Sequence, residues 1–260
     1  MSERISDRSL FEYGVVGLAA MVYVLFTAGH SVHPALRVEF TDTTAVPLKS
    51  VSEAPAALDL PPSPTAPSMF TLYQAARDGD PVAAFDLGNI YASGIDGPPD
   101  YATALRWFSR AAAQGLPDAQ YNLAVFYSKG YGAAKDPERA LPLFQAAAGQ
   151  GLADAQVALG LIYRDGLGVI RDYVKSVEWL TKAAGQGNPN AFALLAVAYE
   201  AGYGVHRDQV EALKWLTLAA RSGRSDEEFR QYLTGALTPA QQQDATQRAD
   251  SFKIAPPPAH

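Results

Sequence analysis

Between Ala83 and Gly223 hydrophobic positions recur with two periods, one of three to four residues and one of 36. Ala83, Ala119, Ala155 and Ala191 open the lines AAFDLGNIYASG, AQYNLAVFYSKG, AQVALGLIYRDG and AFALLAVAYEAG. Within them Leu87, Leu123, Leu159 and Leu195 precede Tyr91, Tyr127, Tyr163 and Tyr199 by four, which places each pair on one helical face. The residue after each Leu is small (Gly88, Ala124, Gly160, Ala196) and leaves room for a neighbouring helix. Gly94, Gly130, Gly166 and Gly202 end this first helix, as a glycine just past a helix terminus does. Asp100, Asp136, Asp172 and Asp208 then stand in one phase before a second apolar run, where a helix start needs an acceptor for its orphan amides. Asp208 with Glu211, Ser225 with Glu228 and Thr238 with Gln241 also have the spacing of a capping box.

The second helix carries Trp107, Leu143, Trp179 and Trp215 in one phase and closes near Gly115, Gly151, Gly187 and Gly223. Equivalence with Leu143 assigns the tryptophans to packing between stacked helices rather than to a ligand platform. Pro142 falls inside the second helix of the second copy, and a kink or early distortion is expected there. A helix, a turn and a helix cannot bury their apolar faces alone, so neighbouring copies must supply the core. The expected fold is an all-α solenoid. It comprises a half repeat at 69–82, repeats at 83–118, 119–154, 155–190 and 191–226, capping helices at 227–253 and a frayed tail at 254–260.

The period, the A-x-x-x-L-G-x-x-Y helix, the G-x-G-V-x-x-D turn and the A-x-x-W-x-x-x-A-A-x-x-G helix resemble Sel1-like repeats, relatives of tetratricopeptide repeats, over about residues 70–226. Two departures stand out: Asp96 replaces the glycine found at Gly132, Gly168 and Gly204, and Ala133 replaces the usual valine. The resemblance implies a right-handed superhelix and an interaction scaffold rather than an enzyme. If the first helix of each repeat lines a groove, as in the tetratricopeptide relatives, the residues left over for a peptide or helix include Asn89, Ser93, Tyr121, Val125, Ser128, Lys129, Arg164, Asp165 and Glu200.

The remaining sequence alters this picture at the amino end. Residues 13–36 carry no formal charge, and YGVVGLAAMVYVLFTAG is long enough to span a bilayer, which needs roughly 17 to 25 helical residues. That length favours one uncleaved transmembrane helix over a cleaved signal peptide, for which Thr27 and Gly29 are the only tolerable cleavage pair. Arg4 and Arg8 lie in the stub at 1–12 and weakly favour an inside amino end, which in a bacterium places the repeats in the periplasm, tethered to the inner membrane or released there by cleavage. Residues 37–68 follow as a proline-rich linker, with six prolines between Thr41 and Ser68.

Composition excludes several chemistries. The chain has no cysteine, hence no disulfide, thiol nucleophile or thiolate metal site. A net charge of −6 without a basic run gives no footprint for nucleic acid. His30 and His33 stand at a one-face spacing without a third ligand, and His206 is alone in a turn, so no metal or cofactor is expected. The sequence lacks S-x-x-K, H-E-x-x-H and a phosphate-binding glycine loop. The expected function is a non-catalytic, membrane-tethered protein-protein interaction scaffold. A cell-wall-related periplasmic enzyme is an alternative. So is a polysaccharide- or peptidoglycan-binding module using Tyr101, Tyr131 and Tyr203, if these form one exposed row.

Overall fold

A computed structural model describes residues 67–95 and 97–255. The stub, the apolar segment at 13–36 and nearly all of the linker lie outside the described residues, as do His30, His33, Asp96 and residues 256–260. Among the described residues no helix is long and apolar enough to cross a membrane. Eleven helices and no strands are present there. The first, α1 (Pro67–Asp78), takes the last two residues expected in the linker. The first helices of the repeats, helices A, are α2 (Pro81–Ser93), α4 (Pro117–Lys129), α6 (Ala153–Asp165) and α8 (Pro189–Ala201). The second helices, helices B, are α3 (Tyr101–Ala113), α5 (Pro137–Gly149), α7 (Tyr173–Gly185) and α9 (Gln209–Arg221). Two further helices, α10 (Glu227–Ala236) and α11 (Pro239–Ser251), follow. Up to α9 each helix packs mainly on those before and after it in the chain, the arrangement of a solenoid, and α11 then folds back onto α9.

Each boundary has a local cause. Gly94, Gly130, Gly166 and Gly202 adopt φ of 65°, 80°, 72° and 75°, the left-handed region in which only glycine is free of strain, and each N–H closes the last turn of helix A. Asp100, Asp136, Asp172 and Asp208 cap the helices B: in each, Oδ1 accepts from the third helical amide at 3.0 Å. The backbone N–H of the same aspartates donates to the carbonyls of Tyr91, Tyr127, Tyr163 and Tyr199, which clamps every turn at 2.8–2.9 Å. The box expected at Asp208 is only half formed, because the Glu211 carboxylate turns to Lys214 and Arg248 instead. At α10 the cap is Asp226, not Ser225, whereas Thr238 and Gln241 form both bonds of a box.

The Asp100 carboxyl is raised by partial burial but lowered further by its bonds to Thr103 and by Arg106, so its pKa lies below the usual range. Asp172 is lowered chiefly by the Lys175 amide, with the Lys175 ammonium adding to the effect. A folded-state pKa below the unfolded value stabilises above the unfolded pKa of about 3.9 and loses that contribution as pH falls through the folded value. Asp172→Asn keeps a good cap without a titrating group. Thermal melts between pH 7 and pH 2 should therefore show a slightly lower neutral stability, because the pairing with Lys175 is lost, and a shallower acid limb for this variant; identical acid limbs would contradict the role.

Leu87, Leu159 and Leu195 are fully buried and Leu123 nearly so, while the small residue after each lies under helix B. A Cβ added to Gly88 would stand 2.6 Å from the Phe108 ring, and one added to Gly160 2.7 Å from Leu180 Cγ. Gly88→Ala improves helix propensity by about 1 kcal/mol. The rigid Phe108 ring must move to accept it, however, and overpacking costs about 1–3 kcal/mol. Urea denaturation should show net destabilisation of the variant.

The knob between stacked helices is one residue later than the tryptophan phase suggests. Phe108, Phe144, Leu180 and Leu216 are all buried, whereas in the tryptophan phase only Trp107 and Trp215 are, with Leu143 and Trp179 half-exposed. Helix α5 runs unbroken through Pro142. The carbonyl that loses its donor there belongs to Glu138, and both residues are exposed, so the missing bond leaves no buried polar residue behind.

The carboxyl-terminal helices close the stack with ionic ties. Arg248 bridges Glu211 of α9 at 2.7 Å and Asp244 of α11 at 2.8 Å, and Arg221 meets Asp250 at 2.7 Å. Ala245 and Ala249 bury the apolar side of α11.

Candidate functional site

The face that each helix A turns away from its helix B repeats at i, i+4, i+7 and i+11. In α2 these positions are Val82, Asp86, Asn89 and Ser93. Neighbouring helices A meet on it: Asn122 Nδ2 donates to Asn89 Oδ1 at 3.2 Å, from one repeat to the next. Along the stack the phase of Asn89 reads Asn89, Val125, Leu161, Val197, all half-buried. The phase of Asp86 reads Asp86, Asn122, Ala158, Leu194. Both pass from polar in the first repeat to aliphatic in the fourth. Partial burial, with Asp80 nearby, raises the pKa of Asp86. At the third-to-fourth junction a cleft of about 20 Å³, lined in part by Arg164, Leu194 and Val197, has room for about one water. This cleft, shared with Tyr173, Val177 and Leu180 of α7, is too small for a drug-sized ligand.

The nine residues singled out from sequence divide into two groups. Asn89 and Val125 lie on this face, with Val125 resting on the middle core cluster. Ser93 and Lys129 are exposed at its end. Tyr121 is used for packing: its ring meets Phe144 edge-on at 5.8 Å, and burial, helped by Asp154, pushes its hydroxyl pKa up to about 12. Ser128 bonds back to the Val125 carbonyl at 2.8 Å. Arg164 forms a two-pronged pair with its neighbour Asp165, at 2.7 and 2.9 Å.

Glu200 is a structural group. It is 7% exposed and accepts from Arg207 Nη2 at 2.6 Å and from the Tyr232 hydroxyl at 3.0 Å, tying α8 to its own turn and to α10. Its phase, Ala92, Ser128, Arg164 and Glu200, points toward the turns, which is why a carboxylate in it meets partners inside the fold. Asp86, Asn122, Leu161, Leu194 and Val197 lie on the same face without having been singled out, the last three because a search for polar residues passes over them. Their signal is a phase whose chemistry changes steadily along the stack.

The tyrosines beside the turns do not form a row. Tyr101 stacks on Tyr131 at 4.8 Å and 18°, and Tyr173 on Tyr203 at 4.7 Å and 11°, so their ring faces cover each other. Between the two pairs the corresponding positions are Pro137 and Leu167.

Sel1 repeat models match residues 81–116, 117–152, 153–188 and 191–223, more than half of the chain. The chain belongs to the Sel1 repeat family. The matched units begin at or near the starts of α2, α4, α6 and α8, two residues ahead of the alanine phase in the first three. Among solved structures, a Sel1 repeat protein from Oxalobacter formigenes is 34% identical with a TM-score of 0.57, over 64% of this chain and 48% of its own. A protective antigen of uropathogenic Escherichia coli is 30% identical with a TM-score of 0.46, over 70% of this chain and 47% of its own. The chain thus spans about half the length of these relatives. No curated protein matches it. Sel1 repeats generally mediate protein-protein interaction.

Proposed function

We propose that the protein is a non-catalytic adaptor whose helix-A face holds a partner polypeptide, and that residues 13–36 tether it to the inner membrane with the repeats on the periplasmic side. The observation that carries the reading is the gradient from Asp86 and Asn89 to Leu194 and Val197. A periodic scaffold commits its recurring residues to stacking, so positions that vary in phase are the ones free to specify a partner. A segment polar or basic at one end and aliphatic at the other matches this surface. The tether rests on the uncharged segment and the proline-rich linker, whose stretch from Thr41 to Ser68 would reach up to roughly 85 Å at ~3.1 Å per residue.

A photo-crosslinking amino acid at position 125 or 197 should capture the same partner in intact cells. One at position 178 or 181, exposed on α7, should not. Equal capture from both sets would remove the helix-A face from consideration. Because the chain has no cysteine, Ser225→Cys gives a single reporter of topology. It should react with an impermeant maleimide in spheroplasts without lysis, and protection until lysis would refute the periplasmic placement.

A further inference from the structure

The end of the described chain departs from the frayed tail expected at 254–260. Beyond α11, Phe252 leaves the helix in an extended conformation with its ring edge-on to Trp215 at 5.2 Å and to Phe192 at 5.9 Å. Lys214 Nζ lies 5.6 Å from the same ring. Ile254 rests beside Gly187, where an added Cβ would stand 3.0 Å from Ile254 Cδ1. The Ala255 N–H donates to the Gly185 carbonyl at 2.7 Å. That carbonyl is among the last four of α7, which a helix end leaves without an intrahelical donor.

The repeat pattern shows that this seat is particular to the last repeat. At the corresponding edge of the preceding repeats the contact is polar: Gln150 donates to Gln120 at 2.8 Å and Gln186 to Gln156 at 2.9 Å. One period later the two positions are Ser222 and Phe192. The amide pair has become an aromatic wall, and the neighbouring Gly187 leaves room beside it. The resident segment is held by one half-buried ring laid against the core, the Ile254 contact with Gly187 and one backbone bond, with Ile254 56% exposed and Lys253 and Ala255 exposed. Against the entropy of ordering the segment, so few contacts give an attachment that opens readily.

We propose that this seat is a peptide-docking site, occupied in cis by Phe252–Ala255 and open to exchange for an extended segment of a partner protein. That segment carries an aromatic residue followed two positions later by an aliphatic one. The ring rests edge-on against Phe192 and Trp215, which stack on each other at 5.9 Å, the aliphatic side chain lies over Gly187, and the third amide after the aromatic residue takes the Gly185 carbonyl. The site uses the turn between α7 and α8 rather than the helix-A face, so each stands or falls separately.

The test uses the full chain and a fluorescein-labelled synthetic peptide with the sequence of residues 251–260, SFKIAPPPAH. With the cis segment in place for about nine-tenths of the time, apparent affinity is reduced roughly tenfold, so Phe252→Ala should bind the peptide about tenfold more tightly than the unaltered chain. A peptide with alanine for its phenylalanine should bind neither protein. Ala255→Pro removes the donating N–H while its ring keeps the preceding residue extended, and should also raise affinity, which keeps the proposal testable should Phe252→Ala fail to fold. Folded variants that bind the peptide no better than the unaltered chain would overturn it. A dimer of the unaltered chain in sedimentation, dissolved by Phe252→Ala, would assign the seat to a second copy's tail and overturn the assignment to a partner.

Discussion

Trp107→Ala is expected to destabilise the solenoid by about 3–5 kcal/mol, the range for removing a fully buried aromatic side chain. The indole is 0% exposed and lies edge-on to Tyr73 of α1 at 5.7 Å, so the cavity would open between the half repeat and the first full repeat. Its Nε1–H, like that of Trp215, has no oxygen acceptor among the described residues. The substitution therefore forfeits packing without freeing a bonded partner. Trp179 occupies the same phase but is half-exposed, with Lys182 Nζ 3.9 Å from its ring centroid. Trp179→Ala should cost less than half as much. Urea denaturation followed by circular dichroism would measure both; equal losses would show that the phase, rather than the burial of each residue, sets the cost.

Gly132→Ala and Gly204→Ala should be nearly as damaging, and Gly168→Ala much less so, although the three glycines are one period apart and share φ of 71°, 73° and 73°. The left-handed backbone alone costs an L-residue about 1–2 kcal/mol at each. At Gly132 and Gly204 an added Cβ would also stand 2.2 Å from the carbonyl oxygens of Tyr101 and Tyr173. No carbon and oxygen approach so closely, so the turn must lift from the preceding repeat and separate the stacked pairs Tyr101–Tyr131 and Tyr173–Tyr203. That adds about 1–3 kcal/mol, as other overpacked contacts do. At Gly168 nothing lies within 4 Å of the added atom. Thermal melts of the three variants should rank accordingly, and a Gly168→Ala loss equal to the others would refute the difference between junctions.

That difference bears on the surface as well. Where the tyrosine stack is replaced by Pro137 and Leu167, the third turn leaves Leu167 58%, Ile170 91% and Val174 55% exposed. The four repeats are equivalent in pattern but not in fit, because each junction is closed by side chains outside the repeating motif.

The helices, turns and caps were legible because their causes are local. A glycine at φ near +70° and an aspartate three residues before an amide act within a few residues of themselves, so the period of 36 exposes them. Ser225 was misread because Asp226, one residue on, offers the same acceptor with a charge. The candidate surface was less legible. Glu200 and Arg164 read as free polar groups until Arg207, Tyr232 and Asp165 are placed around them. Leu161, Leu194 and Val197 read as core residues, and the structure leaves them half-buried, packed against the carboxyl-terminal core cluster with one side still accessible. Phe192 was not distinguished at all, since its meaning depends on Phe252, sixty positions away.

By itself the sequence determined an all-α stack of Sel1 repeats, its helix boundaries and the absence of thiol chemistry, because periodic burial and capping are written residue by residue. Only the tertiary structure decided which of two adjacent phases supplies the buried knob, which polar groups remain at the surface, and where Phe252 and Ile254 are seated. Those outcomes depend on how side chains of different helices and turns meet, whose geometry follows from how successive helices cross and not from the pattern within any one of them.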